Sequence, residues 1–307
     1  MPRYGPGGLS SVLPAAVARL GIALPGAPAP PELSDANRPR GIVLILADGL
    51  GLANLAARAG HAPFLWAGAR RKLLAGFPST TVTSLASLGT GLGPGRTAMA
   101  GYSLRDPASG RRANLIGWDA ATGPETWQPH PTVFERLEAI GRPAAFVGEK
   151  RFAGSAMTRA SLRGARFWPA DAKPAAIVEA TLAAAGAGDG LVYTYWGQLD
   201  KIGHSAGWES ARWAQALEAF DYAAARLRRD LPRRWEVWLT ADHGMVDVTG
   251  GPVWDVAEEP ELADGVEVVA GEARAVHLYG ADPAAVAARW RRRLGDGAWV
   301  LTKAEAV

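Results

Sequence analysis

The 307-residue chain contains no cysteine. That excludes disulfides, thiolate metal sites and cysteine nucleophiles, so any metal must be held by Asp, Glu or His. Histidine is scarce too, limited to His61, His130, His204, His243 and His277. Lysine is nearly absent; the basic residues are overwhelmingly Arg, a coding bias to which we give no functional weight. The formal net charge is only +3, with no basic stripe interleaved with aromatics, which argues against a nucleic-acid partner. No apolar run approaches the ~20 residues that a membrane span needs. Residues 1–30 are broken by Pro6, Pro14 and Pro25 and do not read as a signal peptide. The expectation is a cytoplasmic protein with no membrane partner, its oligomeric state left open.

What is present reads as a soluble globular chain, 48% hydrophobic and 21% charged. Residues 1–40 are rich in Pro, Gly and Ala around one short helical stretch, and are expected to form an arm packing on the domain. Residues 41–307 are expected to form a single catalytic domain, whose C-terminus is left open as incomplete. Ile42–Ala47 is a continuous, β-branched apolar run, the signature of a strand buried on both faces. Further strands are predicted at 143–148, 190–196, 235–240, 266–270 and 274–279. Helices are predicted near 51–60, 81–89, 132–140, 174–186, 208–229 and 283–294. Such alternation implies an α/β fold, a largely parallel central sheet flanked by helices on both faces. Residues 101–131 lack periodicity and are expected to run over the sheet edge as an irregular excursion, a candidate substrate lid.

In parallel sheets ligands bind beyond the carboxyl ends of the strands. Three apolar runs there are followed by metal-competent residues: Asp48-Gly49, then Asp200 and His204 four apart on one helical face, then Asp242-His243-Gly244. Each alone also fits an ordinary turn; two of five histidines falling beside an Asp just after a strand is less easily accidental. A fourth segment, Gly76-Phe-Pro-Ser-Thr-Thr81, predicts a helix start capped by Ser79 or Thr80. A hydroxyl in that first turn sits beside exposed N–H groups that favour phosphate.

Taken in order, Asp48-Gly49, Phe77-Pro-Ser-Thr-Thr81, Thr90-Gly-Leu-Gly-Pro94, Leu199-Asp200-x-x-x-His204 and Ala241-Asp-His-Gly244 resemble the type I phosphodiesterase/nucleotide pyrophosphatase family of the alkaline phosphatase superfamily. The resemblance implies an alkaline phosphatase-like fold acting on a small-molecule phosphate ester, with Thr81 as the covalent nucleophile. It implies two divalent metal ions, usually Zn, with Mn the alternative. One would take Asp48, Thr81, Asp242 and His243; the other Asp200, His204 and a further His. The family supplies that His from a His-Gly element near its C-terminus. The chain shows none, leaving His277 as the later candidate. Where the family places an Asn for the phosphate, Tyr102 is the expected substrate-binding donor. A monoester, phosphonate or sulfate ester substrate stays open, with Arg96 or Arg105 as extra cations for a monoester, as does a non-catalytic relative with an incomplete second site. Trp118 and Trp127 are candidates for stacking on a base or aromatic leaving group, while His61 and His130 are expected on the surface.

Overall fold

A computed structural model describes residues 7–24, 37–69, 71–188, 190–248, 250 and 253–306. Residues 1–6 and 25–36 of the expected arm lie outside the described residues. Among the described residues the strands, in chain order, are β1 Gly41–Ala47, β2 Ser103–Arg105, β3 Arg112–Asn114, β4 Ala145–Glu149, β5 Arg166–Ala170, β6 Leu191–Trp196, β7 Trp235–Thr240, β8 Val268–Glu272 and β9 Ala275–Tyr279. Five of them form one sheet in the order β5-β4-β6-β1-β7, with every pairing parallel.

Strand β1 lies inside the sheet, and each of its seven residues is buried. Its side chains alternate between two cores, as period-2 geometry requires. Ile42, Leu44 and Leu46 pack with Leu13 and Val17 of the helix Val12–Arg19, Leu85 and Leu88 of the helix Thr81–Thr90, and Phe134 of the helix Val133–Ala139. Val43, Ile45 and Ala47 pack with Ile177 of the helix Pro174–Gly186 and with Trp213 and Phe220 of the helix Ala211–Asp230. Helices therefore cover both faces, as the unbroken apolar run predicts.

A second sheet, order β3-β2-β8-β9, is wholly antiparallel and was only half anticipated. One half of it, β2 and β3, lies inside the stretch expected to be irregular. Three-residue strands are too short to show a period, which is why the pattern is silent there. The turn between them is organised by Asp106, whose buried carboxylate accepts hydrogen bonds from Ser109 Oγ at 2.8 Å, Ala121 N at 2.9 Å and the Thr122 hydroxyl. Burial alone would raise the Asp106 pKa, but these bonds outweigh it and hold the carboxyl well below the usual range. The excursion then packs Leu104, Leu115 and Trp127 against Val82 and Ala86 of the Thr81–Thr90 helix.

That helix is buried from Val82 to Thr90 because it is also pressed against the helix Ala156–Ser161. The approach passes over Gly89: a Cβ there would lie 1.7 Å from the Ser161 carbonyl oxygen. Backbone cannot yield as a flexible side chain can, so Gly89→Ala should cost about 3 kcal/mol or more. Urea unfolding of the variant beside wild type measures this, and an unchanged midpoint would mean that the two helices separate freely.

Candidate metal and phosphate site

The register carries Ala47 beside Trp196 and Leu46 beside Thr240, so β6, β1 and β7 end at one edge of the sheet. The residues that follow, Asp48, Gly197 and Ala241, therefore open the three loops that the sequence marked out. Gly49 has φ +74°, and a Cβ on it would stand 3.2 Å from the Cα and Cβ of Asp200. Only a glycine turn lets the β1 loop lie that close to the first turn of the helix Gln198–Ala206. Gly51 and Gly244 meet similarly, and Asn54 clamps them: its Nδ2 donates to the Met245 carbonyl at 2.9 Å, and its Oδ1 accepts from Met245 N at 3.0 Å.

Asp48, Asp242 and His243 converge so that one donor atom from each lies within 4.8 Å of the others. His243 Nδ1 faces the Gly244 carbonyl at 3.1 Å. A carbonyl only accepts, so Nδ1 carries the proton and the Nε2 lone pair looks into the cluster. Nε2 lies 3.4 Å from Asp48 Oδ1 and 3.5 Å from Asp242 Oδ2. Thr81 Oγ1 stands 3.1 Å from the same Nε2 and 3.4 Å from Asp48 Oδ1. Thr81 is the first residue of its helix, whose end has no side-chain cap. Of the two expected candidates, Ser79 and Thr80, it is Thr80 that occupies the cap position, but it makes no capping bond. Its hydroxyl instead meets Glu272 at the end of β8. The first-turn N–H groups beside Thr81 are thus left without a side-chain acceptor.

Two observations fit a cation here. Asp242 Oδ2 and Asp200 Oδ1 are sealed from solvent yet make no hydrogen bond. Burial raises the Asp48 carboxyl well above its ordinary value, reinforced by the charges of Asp242 and Asp200. Burial likewise pushes Asp242 up to about 6, against hydrogen bonds that lower it. Three crowded carboxylates, two of them with a buried oxygen lacking a hydrogen bond, suit a divalent ion, which would displace their protons.

The remaining sequence candidates separate. Asp200 Oδ1 is 3.3 Å from His204 Nε2, but the His204 side chain is 74% exposed. Among the described residues, no third His, Asp or Glu completes a group around that pair. His277 sits mid-β9 opposite Ala270, half-buried and hydrogen-bonded to the Ala100 backbone. Tyr102, 40% exposed, precedes Ser103, which pairs with Gly271 next to Glu272. Arg105 bonds the Gly110 carbonyl at 3.1 Å and lies 4.0 Å from Glu267, while Arg96 is exposed. The stacking role expected of Trp127 is corrected by its burial. Trp127 is buried with its Nε1 on the Ala98 carbonyl, and Trp118 packs edge-on against it at 6.0 Å. His61 pairs with Glu218 at 2.7 Å, and the His130 carbonyl receives Arg163.

Sequence reasoning missed Tyr195, whose hydroxyl donates to Asp48 Oδ2, and Ser84, whose Oγ holds the Asp242 carbonyl at 2.8 Å. Tyr193 and Tyr195, two phenols alternating in the strand before Asp200, were the available signal for the first. Glu272 had none.

The family described as Type I phosphodiesterase / nucleotide pyrophosphatase matches residues 42–304. Phosphopentomutase of Sinorhizobium medicae (strain WSM419) is 37% identical over 119 residues, 38% of this chain and 27% of the relative. Murine ectonucleotide pyrophosphatase/phosphodiesterase 5, solved as an inactive variant in complex with AMP, aligns with a TM-score of 0.55 at 16% identity, covering 71% of this chain and 60% of that one. Phosphonoacetate hydrolase of Sinorhizobium meliloti 1021, in complex with phosphonoformate, aligns with a TM-score of 0.49 at 21% identity, over 70% of this chain and 60% of that one. The murine alignment shows a shared fold, and the chain spans less than two thirds of the length of each of these relatives. Among the described residues no helix is long and apolar enough to cross a membrane.

Proposed function

The chain belongs to the type I phosphodiesterase/nucleotide pyrophosphatase family, and from that premise we propose that it hydrolyses phosphate diesters or nucleotide pyrophosphate bonds through a covalent intermediate on Thr81. The observation that carries the reading is the position of Thr81 Oγ1, 3.1 Å from His243 Nε2 and 3.4 Å from Asp48 Oδ1, at an uncapped helix start. One divalent ion, Zn or Mn, would take Asp48, Asp242, His243 and Thr81; a second would take Asp200 and His204. When bound, such ions lower the pKa of a coordinated hydroxyl or water and offset phosphate charge.

The chain's own groups set the geometry. The first-turn N–H groups of the Thr81 helix orient the phosphoryl oxygens, and Tyr102 is the proposed further donor. Thr81 Oγ forms its bond to phosphorus as the bond to the leaving oxygen breaks. Water then takes the phosphoryl group and returns the hydroxyl to Thr81. Glu272, half-buried, bonds the hydroxyl of Thr80 next to Thr81, and a carboxylate there is expected to disfavour a dianionic monoester relative to a singly charged diester. With Zn or Mn supplied, bis(p-nitrophenyl) phosphate should be cleaved at least tenfold faster than p-nitrophenyl phosphate. The reverse order would move the assignment to a monoesterase.

One observation favours a second reading. The Asp200–His204 pair has no third ligand among the described residues, as expected of a non-catalytic relative. Metal analysis separates the two: two ions per chain support the enzyme, one or none the binding module.

A further inference from the structure

Asp48 and Asp242 are each scaffolded through one oxygen, leaving the other for the cluster, but their donors differ in kind. Asp242 Oδ1 accepts the backbone N–H groups of Gly49 at 3.1 Å and His243 at 2.9 Å. The Asp48 Oδ2 atom accepts the phenol of Tyr195. We propose that Tyr195 is a positioning residue of the site, holding the Asp48 carboxylate by Oδ2 so that Oδ1, the oxygen 3.4 Å from His243 Nε2, is the one presented to the ion. The inference rests on the metal-site reading above.

A carboxylate free to turn about its Cβ–Cγ bond offers both oxygens to one ion, and the second then competes for the position a nucleophilic hydroxyl must occupy. A donor on the outer oxygen prevents that turn, the usual service of groups just behind a metal ligand. The Tyr195 ring is itself well held. It packs edge-on against Phe152, with centroids 5.3 Å apart and planes at 86°. A Cβ on Gly197 would lie 2.9 Å from its Cε1, so the ring packs against the N-cap of the helix that carries Asp200. Phe152 lies beneath the Arg151 guanidinium at 4.7 Å, and Arg151 pairs with Glu149 at 2.8 Å. The support thus runs from the end of β4 to the carboxylate.

Tyr193, two residues earlier in the same strand, supplies an internal control. Its hydroxyl is fully buried and makes no hydrogen bond, so Tyr193→Phe removes the same atom without touching Asp48.

The test is Co(II) substitution, read by visible absorption, alongside bis(p-nitrophenyl) phosphate kinetics. In Tyr195→Phe the Co(II) bands should weaken as the coordination number rises. Its kcat should fall roughly 10- to 100-fold with KM within about twofold. Tyr193→Phe should match wild type in both. A Tyr195→Phe protein with wild-type Co(II) absorption and kcat overturns the proposal, as does an equal loss in Tyr193→Phe, which would mark a packing effect. A wild type that takes up no Co(II) overturns the metal-site reading and this inference with it.

Discussion

Thr81→Ala should abolish turnover of bis(p-nitrophenyl) phosphate, lowering kcat by roughly 10³-fold or more while leaving the fold and metal uptake in place. The expectation follows from where Thr81 sits. It is the first residue of a helix whose remaining nine residues are buried, so the helix is anchored from Val82 onward and does not need the Thr81 side chain. The hydroxyl's contacts, His243 Nε2 and the Asp48 oxygens, are groups of the cluster itself rather than packing partners. Removing it deletes the attacking atom and leaves Asp48, Asp242 and His243 in position. Thr81→Ser separates nucleophilicity from shape, since it keeps an oxygen at the same place and should retain measurable turnover. Equal activity in Thr81→Ala and wild type would exclude a covalent threonine and turn attention to direct attack by water.

Asp242→Asn is expected to produce the second large effect, on metal binding. The amide keeps an oxygen for the N–H groups of Gly49 and His243, so the loop should fold as before. It loses the anionic Oδ2, which is buried without a hydrogen bond and therefore has no other service. Zn affinity should fall roughly 100-fold or more, read by titration against a chelating indicator. The pH dependence has a definite sign. Burial and the neighbouring carboxylates raise the folded-state values of Asp48 and Asp242, the latter to about 6. The metal-free fold therefore holds protons that the unfolded chain releases near pH 4. Its contribution to stability from these groups is complete below that point and is lost as pH rises through about 6. A bound ion replaces the protons, so Zn affinity should drop about tenfold per pH unit below 6 for each proton displaced. The Zn-induced rise in Tm should accordingly be larger at pH 8 than at pH 5 and nearly absent in Asp242→Asn. A rise of equal size at both pH values would place the ion elsewhere.

Much of this was determined by local sequence. An apolar run such as Ile42–Ala47 has one low-energy solution, a strand covered on both faces, and the residues after such runs must emerge at one sheet edge. The positions of Asp48, Asp200, Asp242 and His243 just beyond strand ends were therefore legible, because strand, turn glycine and candidate ligand are contiguous in each segment. Thr81 was legible for the related reason that Pro78 and the Ser/Thr run mark a helix start. The tertiary structure alone decided what depends on contacts between distant segments. Strand β5 carries Pro169, which a sheet edge tolerates but a local pattern reads as a break. Strands β2 and β3 are three residues each and acquire an identity only by pairing with one another and with β8. The burial of Trp127, the Tyr195 phenol on Asp48 and the Glu272 carboxylate behind Thr80 all join residues tens to nearly two hundred positions apart. No periodicity encodes such pairs. The Tyr195 bond arises because the parallel sheet brings β6 and β1 to a common edge, where buried charge must find a partner. The other two arise where the excursion and the second sheet meet the segment around the Thr81–Thr90 helix.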